Sequence, residues 1–526
     1  MGKSSFVRSA GVVSACTLLS RLLGFVRDML CARYFGASMV WDAFSVAFRI
    51  PNLFRRLFGE GALTAAFLPA FVERYESGRP EEAHALLNRL VTALGLFLGI
   101  FAAAGIGITY LLPQDPKTAL MAPLLRTMLP YLPLICVAAI LGAALNAMRH
   151  YFTPAFAPVV LNVVLISALA PAWRSIQTQA AAVVLGGLAT VLVLLPALAS
   201  RRVPIRPRTG FGDAGLREVG RKFLPVVFGL APVQLNELAG SMIAQYCVPG
   251  TGAASTLYYG NQLTQLPLAL IGTAVATVVF PLFASPKEDF KDVFQRSLRF
   301  VLFLSVPASI GLMVLARPIV SLVFQHGPLF GVPETDRTAW VTFFYSAGLW
   351  CYCANQIQVR AFYAKKDTMT PVKVSAAMVA LNLGLTLGLV GPLGERGISI
   401  ANSATGLASF LVLNVLLRKR HGGGGGIDLR PVTFGFAQSL LAGGVMGLAA
   451  WGVYHLLGGG LGDTISRKLV LALVPIASGA AVYLALARLL RMDEARMLLR
   501  RRHDDHPVPA ADPADLPRAR QETGPR

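Results

Sequence analysis

Charge is what this sequence has least of. Only 14% of its 526 residues are Asp, Glu, Lys or Arg, where a soluble globular domain carries about 25%. With 55% hydrophobic residues and a mean hydropathy of +0.59, one buried core cannot account for the composition. Long apolar stretches must face lipid. Acids are scarcer than bases, 27 against 48, which leaves a net charge of +21. In a soluble protein that excess would suggest nucleic acid. No basic face here is interleaved with aromatics, and cationic loops between apolar runs are what the cytoplasmic side of a membrane protein carries. No nucleic-acid partner is expected. The basic tracts at residues 201–208 and 496–502 suit anionic lipid headgroups instead.

Catalytic and metal chemistry are missing as well. The six cysteines (Cys16, Cys31, Cys136, Cys247, Cys351 and Cys353) lie in or beside apolar runs without CxxC spacing or histidine neighbours, so they read as small hydrophobes. There is no H-E-x-x-H, no acid-rich metal motif and no nucleophile–base pair near a plausible site. Gly2-Lys3-Ser4 resembles the end of a P-loop but lacks the preceding glycine and strand. The chain is expected not to be an enzyme and to hold no cofactor or metal.

What is present is a succession of apolar runs of about 20 residues, cut by proline, glycine and charge. They predict an all-α polytopic membrane protein with about fourteen transmembrane helices. The expected centres lie near residues 20, 55, 99, 136, 162, 189, 235, 270, 307, 350, 382, 407, 443 and 478. The run after Arg8 is interrupted by Arg21 and reads as a retained first helix. Alternate loops are rich in cations, among them Arg74, Arg79 and Arg89, then Arg149, then the tract from Arg201 to Lys222. The loops between them hold few, such as Arg33, Lys117 and Arg174. That alternation predicts two cytoplasmic termini.

Three paired features suggest an internal repeat: Pro69 with Pro281 at an offset of 212, Thr153 with Thr370 at 217, and Asn162 with Asn382 at 220. The expected organisation is an N-lobe over residues 1–200 and a basic cytoplasmic linker over 201–222. A C-lobe then covers 223–418 and a glycine-rich linker 419–430. Two extra helices occupy 431–490, and a disordered tail covers 491–526.

Charges inside apolar helices are the informative residues, because an arginine at the bilayer centre costs about 2.5–3.5 kcal/mol. Residues 20–28 (SRLLGFVRD) carry Arg21, Arg27 and Asp28, with Arg21 and Asp28 seven apart on one face. The second helix repeats the spacing with Asp42, Arg49 and Arg56, and adds Asn52 three residues before Arg55. Pro51 interrupts that helix, and a helix so charged should line water. Arg33, Arg49 and Arg56 are open to an anchoring role at helix ends. Arg21, Arg27 and Arg55, with Asp42 nearby, read as a cavity site. Converging arginines at low dielectric suit a phosphate or pyrophosphate.

The eighth helix carries Ser255, Tyr258, Tyr259, Asn261, Gln262 and Gln265. This is either a hydrogen-bonding wall for sugar or peptide groups or interhelical glue. Glu237 is a lone acid of the seventh helix, open to a packing role or to carrying a proton or ion.

These stretches, with residues 42–71, 146–162, 257–272 and 364–374, resemble the MurJ/MviN lipid II flippase family of the multidrug/oligosaccharidyl-lipid/polysaccharide exporter superfamily. The resemblance covers most of residues 5–420. It implies two pseudo-symmetric six-helix lobes around a cationic cavity that opens alternately to each side. It also implies two extra C-terminal helices that form a groove for a polyprenyl tail. The substrate would be lipid II, an undecaprenyl-pyrophosphate-linked disaccharide-pentapeptide, carried outward for peptidoglycan synthesis. The family motif places phosphate binding on Arg21, Arg27 and Arg55 and supporting roles on Asp42, Asn52 and Ser255.

Family members often have an arginine at the position of Gln262, and some an acid at Gln265. Some bind sodium through a seventh-helix carboxylate, whose matching position here is Gly240. Glu237, Asn236 and Asn382 are therefore the candidates for coupling to a monovalent cation. The alternatives are export of another polyprenyl-linked glycan or of drug cations, and a non-transporting membrane scaffold.

Overall fold

The computed structural model describes residues 3–499 apart from 114, 211, 286–287, 422–427, 461 and 463. The glycine run at 422–426, with Ile427, and the tail from 500 onward lie outside the described residues. Within them the chain is helical, with no strand.

The first half contains α1 (Lys3–Phe35), α2 (Met39–Phe54), a π-helical turn (Arg55–Gly61), α3 (Ala62–Glu76) and α4 (Pro80–Thr109). It continues through α5 (Pro116–Met128), α6 (Tyr131–Ala147), α7 (Phe152–Ser167) and α8 (Ile176–Ser200). The second half contains α9 (Ala214–Cys247), α10 (Ala253–Pro267), a π-helical turn (Leu268–Thr273), α11 (Ala274–Ala284), α12 (Phe290–Val314) and α13 (Ala316–Phe324). Then come α14 (Val332–Ala347), α15 (Leu349–Ala364), α16 (Met369–Leu393) and α17 (Glu395–His421). The accessory helices are α18 (Arg430–Leu456) and α19 (Ile465–Leu489), followed by the short α20 (Asp493–Leu499).

Each of the fourteen expected centres falls in one of these helices or in the π turns that join them. Eight helices are long and apolar enough to cross a membrane, and up to 10 if each of two bent pairs is one span. α2, at 16 residues, is shorter than any helix of that set. Leu96, Phe97 and Ile100 of α4 and Leu441, Leu448 and Trp451 of α18 are exposed, as a lipid-facing surface requires.

Local chemistry sets the helix starts. Ser38, Asp115, Ser175, Asp213 and Thr464 accept hydrogen bonds from backbone N–H groups of the first turns of α2, α5, α8, α9 and α19. The two π turns occupy corresponding places, at residues 55–61 and 268–273, and a proline lies further on in each helix that follows, Pro69 and Pro281. Their spacing matches the shortest offset of the repeat. A π turn inserts one extra residue into the helical ladder and re-aims the side chains around it.

Helices joined by a π turn (α2 with α3, α10 with α11) or by a break of one or two residues (α5 with α6, α12 with α13, α14 with α15) form one rod, and successive rods alternate in direction. We call the end where α1 begins the near end and the end where it finishes the far end. In the first half α1 packs on α7, α7 and α6 on α8, and α4 on α6. Small residues allow the close approaches: Gly186 sits against Leu161, and Gly187 against Tyr131. In the second half α12 packs on α15 and α16 pairs with α17, while α9 leans both on α16 and on α2 and α3 of the first half. α18 lies on α12, with Gly443 and Gly447 against Ile310, and α19 lies on α18. The largest apolar core crosses between the halves. It runs from Trp41 and Phe44 to Tyr259, Phe324 and Phe330, which joins the halves at the far end.

Candidate functional site

The centre of the site is a buried acid. Asp28 is fully buried in α1 and accepts four hydrogen bonds from three side chains. Arg27 donates to its Oδ1 from Nε at 3.1 Å and from Nη2 at 2.8 Å. Tyr258 donates its hydroxyl to the same oxygen at 3.0 Å, and Gln262 donates to Oδ2 at 2.8 Å. Both partners from α10 belong to the second half, so Asp28 ties the halves together. The remaining edge of Arg27 meets Asn162 Oδ1 at 3.2 Å. Asn162 is itself fixed by donating to Ser20 O and Pro158 O, each at 3.1 Å.

Arg55 opens the first π turn and donates to Asn52 Oδ1 at 2.7 Å. Its neighbour Arg56 is aimed at α9, where it donates to Glu237 Oε2 at 2.7 Å and Gln234 Oε1 at 3.3 Å. Arg49 donates to the Glu237 backbone carbonyl at 3.2 Å. Glu237 is therefore not lone, as the sequence suggested. Arg56, 181 residues earlier in the chain, pairs with it. Arg49 and Arg56, which the sequence left open between anchoring and function, both bridge the halves.

At the far end Asp42 caps α10. Its Oδ1 accepts from Ser255 N at 2.7 Å and from Ser255 Oγ at 2.5 Å, and its Oδ2 accepts from Gly252 N at 2.5 Å. These three bonds satisfy donors at a helix N-terminus, where a carboxylate is also favoured by the helix dipole. Gly252 has φ +87, and a Cβ there would lie 2.4 Å from Ala37 O. Nearby, Lys117 Nζ donates to Gln245 O at 2.5 Å, and Thr118 and Tyr246 share a hydrogen bond of 2.8 Å.

A cavity of about 470 Å³ opens within the second half. It brings together the three residues expected to couple an ion, Asn236, Glu237 and Asn382, and also Gln265. Arg49, Asn261, Asn355 and Asn402 share its wall. The lining is rich in amides and holds one acid, which Arg56 engages. Asn382 donates to Thr405 Oγ1 at 3.3 Å. No group of three or more His, Cys, Asp or Glu residues that could hold a metal occurs among the described residues.

The other sequence candidates divide clearly. Gln262 joins the Asp28 network, whereas Ser255 and Asp42 bond to each other. Arg21 is exposed on α1, and Arg27 rather than Arg21 pairs with Asp28. Heptad spacing placed Arg21 and Asp28 on one face and assigned the acid no partner. A long arginine side chain can instead fold back to its immediate neighbour. Sequence reasoning also passed over Asn162 as a site residue. Its signal was a carboxamide in the middle of an otherwise apolar helix, and it was used only to mark the repeat.

Residues 31–470 match the family model described as lipid II flippase MurJ. A probable lipid II flippase MurJ of Vibrio cholerae is 32% identical over 509 residues, covering 92% of this chain and 96% of that protein. A lipid II flippase MurJ of Burkholderia cenocepacia is 32% identical over 437 residues, covering 78% and 84%. Among solved structures, a lipid II flippase MurJ in an inward closed conformation aligns at a TM-score of 0.76 and 24% identity, over 91% of this chain and 99% of that one. A multidrug resistance MATE family transporter of the MOP superfamily, inward-facing, aligns at 0.66 and 15%, over 78% and 98%. Both likenesses show the fold.

Proposed function

The chain belongs to the lipid II flippase MurJ family, and on that premise we propose how it works. It is a multi-span inner-membrane transporter that carries lipid II, and not an enzyme. Our reading is that it does so by alternating access, with the substrate pyrophosphate held by Arg21, Arg27 and Arg55. Asn52 orients Arg55, and Gln262 and Gln265 face the headgroup from the second half. The lobes are residues 1–200 and 223–418, joined by the linker 201–222, and the pair at 431–490 accommodates the polyprenyl tail. The near end is cytoplasmic, as are both termini.

One observation carries this reading: Asp28 occupies Arg27 and, through its two oxygens, also holds Tyr258 and Gln262 of α10. A carboxylate bound to a guanidinium in a buried site stands where a phosphate oxygen would bind. Pyrophosphate that takes Arg27 from Asp28 replaces one anion by another on the same donor. It also loosens Asp28 from α10. Substrate binding and the contact between halves are thus one event, the differential interaction that a conformational change requires. The Asp42 cap on α10 then has to open before release at the far end.

A membrane potential, negative inside, favours outward movement of an anion by about 2.3 kcal/mol per charge per 100 mV. A monovalent cation in the cavity of Asn236, Glu237 and Asn382 is a further source of drive. Export of drug cations is not favoured, because the one acid in the second-half cavity is paired with Arg56. The test is binding of undecaprenyl pyrophosphate to the purified protein. Arg27→Ala should weaken it at least tenfold, and unchanged affinity would remove Arg27 from the site.

A further inference from the structure

Four helices end in the same strained way. After α6, α8, α15 and α19 the chain closes a Schellman turn, in which the second residue past the helix bonds three residues back and the next bonds five back. Arg149 N donates to Asn146 O at 3.0 Å and His150 N to Leu145 O at 2.9 Å. The pairs after α8 are Arg202 N to Ala199 O at 2.9 Å and Val203 N to Leu198 O at 3.0 Å. After α15 they are Lys366 N to Tyr363 O at 2.9 Å and Asp367 N to Phe362 O at 3.0 Å. After α19 they are Arg491 N to Arg488 O at 3.0 Å and Met492 N to Ala487 O at 2.9 Å.

The pivot of such a turn is left-handed, and glycine is its usual occupant because it has no Cβ. Here the pivots are Arg149, Arg202, Lys366 and Arg491, with φ of 61, 57, 61 and 52. Among the described residues they are the only positive-φ residues that are not glycine. Every one is a cation, although asparagine and aspartate are the side chains that tolerate this conformation best. All four finish rods at the near end. Glycine takes this place after α3 at the near end, where Gly78 has φ 75 and Arg79 N bonds Arg74 O at 3.1 Å, and at the far end after α1, α16 and α18, at Gly36, Gly394 and Gly458. Gly458 closes the same pair of bonds, to His455 O at 3.0 Å and, through Gly459 N, to Tyr454 O at 3.2 Å.

Nothing inside the protein accounts for the cations. The four side chains are exposed, and none makes a hydrogen bond or ion pair among the described residues. Favourable charge at a helix C-terminus is already supplied beside two of them, by Arg201 and Lys365 in relaxed backbone. A strained residue that the interior does not need points to something outside.

We propose that Arg149, Arg202, Lys366 and Arg491 are seats for the phosphate groups of anionic phospholipids in the cytoplasmic leaflet. This rests on the orientation proposed above. The four follow helices of both lobes and of the accessory pair, a distribution that suits a continuous anionic surface better than one compact ligand. Each sits at a helix end, where the headgroups of the leaflet begin, and juxtamembrane cations are attracted there. Lipids so held would fix the near ends of the rods against the leaflet.

The experiment compares full-length wild type with the fourfold variant Arg149→Gly, Arg202→Gly, Lys366→Gly and Arg491→Gly. Both are melted in nanodiscs of phosphatidylcholine, with and without phosphatidylglycerol. Wild type should gain several degrees from phosphatidylglycerol. The glycine variant should melt at least as high as wild type in phosphatidylcholine, because its turns are relaxed, and should lose most of that gain. A fourfold asparagine variant, neutral but tolerant of the turn, should behave like it. Exchanging arginine and lysine at all four positions should keep the gain. Full gain in the glycine variant, no gain in wild type, or an equal gain from inorganic phosphate would overturn the proposal. A glycine variant less stable in phosphatidylcholine would also overturn it, by showing that the cations serve the fold. Failure of the orientation alone is seen separately, by labelling Cys247 from outside the cell.

Discussion

Ser255 gives both its backbone N–H and its hydroxyl to one oxygen of Asp42, at 2.7 and 2.5 Å, across 213 residues of sequence. This contact caps α10 with a carboxylate from α2 and closes the far end between the two halves.

Asp42→Ala should open that end. The three lost bonds are charge-assisted, and such bonds contribute about 1.5–3 kcal/mol each. A cysteine placed at Asn52 should then react with an impermeant thiol reagent added outside, and it should stay protected in the parent. Gly252→Ala should act in the same direction, since its Cβ would meet Ala37 O at 2.4 Å in a left-handed backbone. Equal protection in both variants would place the closure elsewhere.

Asp28→Asn tests the exchange of anions on Arg27. The variant keeps a carbonyl oxygen for Arg27 and Tyr258 but removes the charge. Affinity for undecaprenyl pyrophosphate should rise roughly tenfold, the equivalent of about 1.4 kcal/mol, while transport slows because binding no longer releases α10. If binding and transport fell together, Asp28 would be a structural support only.

Arg56 and Glu237 form a short ion pair, yet their side chains are 39% and 41% exposed. Pairs so accessible contribute about 0–1 kcal/mol. Arg56→Gln and Glu237→Gln should each shift the melting temperature only slightly, and the double variant no more than the larger single effect. A large loss of transport in Glu237→Gln at unchanged stability would identify Glu237 as an ion-coupling residue.

Orientation has a direct reporter already in the chain. Cys247, at the far end of α9, is exposed, whereas Cys16, Cys31, Cys136, Cys351 and Cys353 are buried. An impermeant maleimide should label intact spheroplasts at Cys247 alone. Labelling only after lysis would put the far end in the cytoplasm.

The helices were legible because bilayer thickness imposes a length on apolar runs, and all fourteen expected centres fall on them. The arginines were legible because charge in such a run is costly and therefore rare. Their partners were not. Arg27 and Asp28 are adjacent and do not face each other on an ideal helix, so spacing gave no sign that they pair. Asp42, Arg49 and Arg56 share a heptad spacing, but Asp42 reaches α10 while the two arginines reach α9. Pro51 and the π turn after it lie within and beyond that stretch, and regular periodicity does not carry through them. The pairing of Arg56 with Glu237 joins residues 181 apart, which no local pattern encodes.

The central claim is that the cavity arginines carry lipid II. It is tested most directly in a bacterium depleted of its own lipid II flippase, expressing wild type or Arg27→Ala at equal levels, by measuring lipid II in the outer leaflet. Wild type should restore outer-leaflet lipid II and growth, and Arg27→Ala should restore neither. Restoration by both would contradict the account.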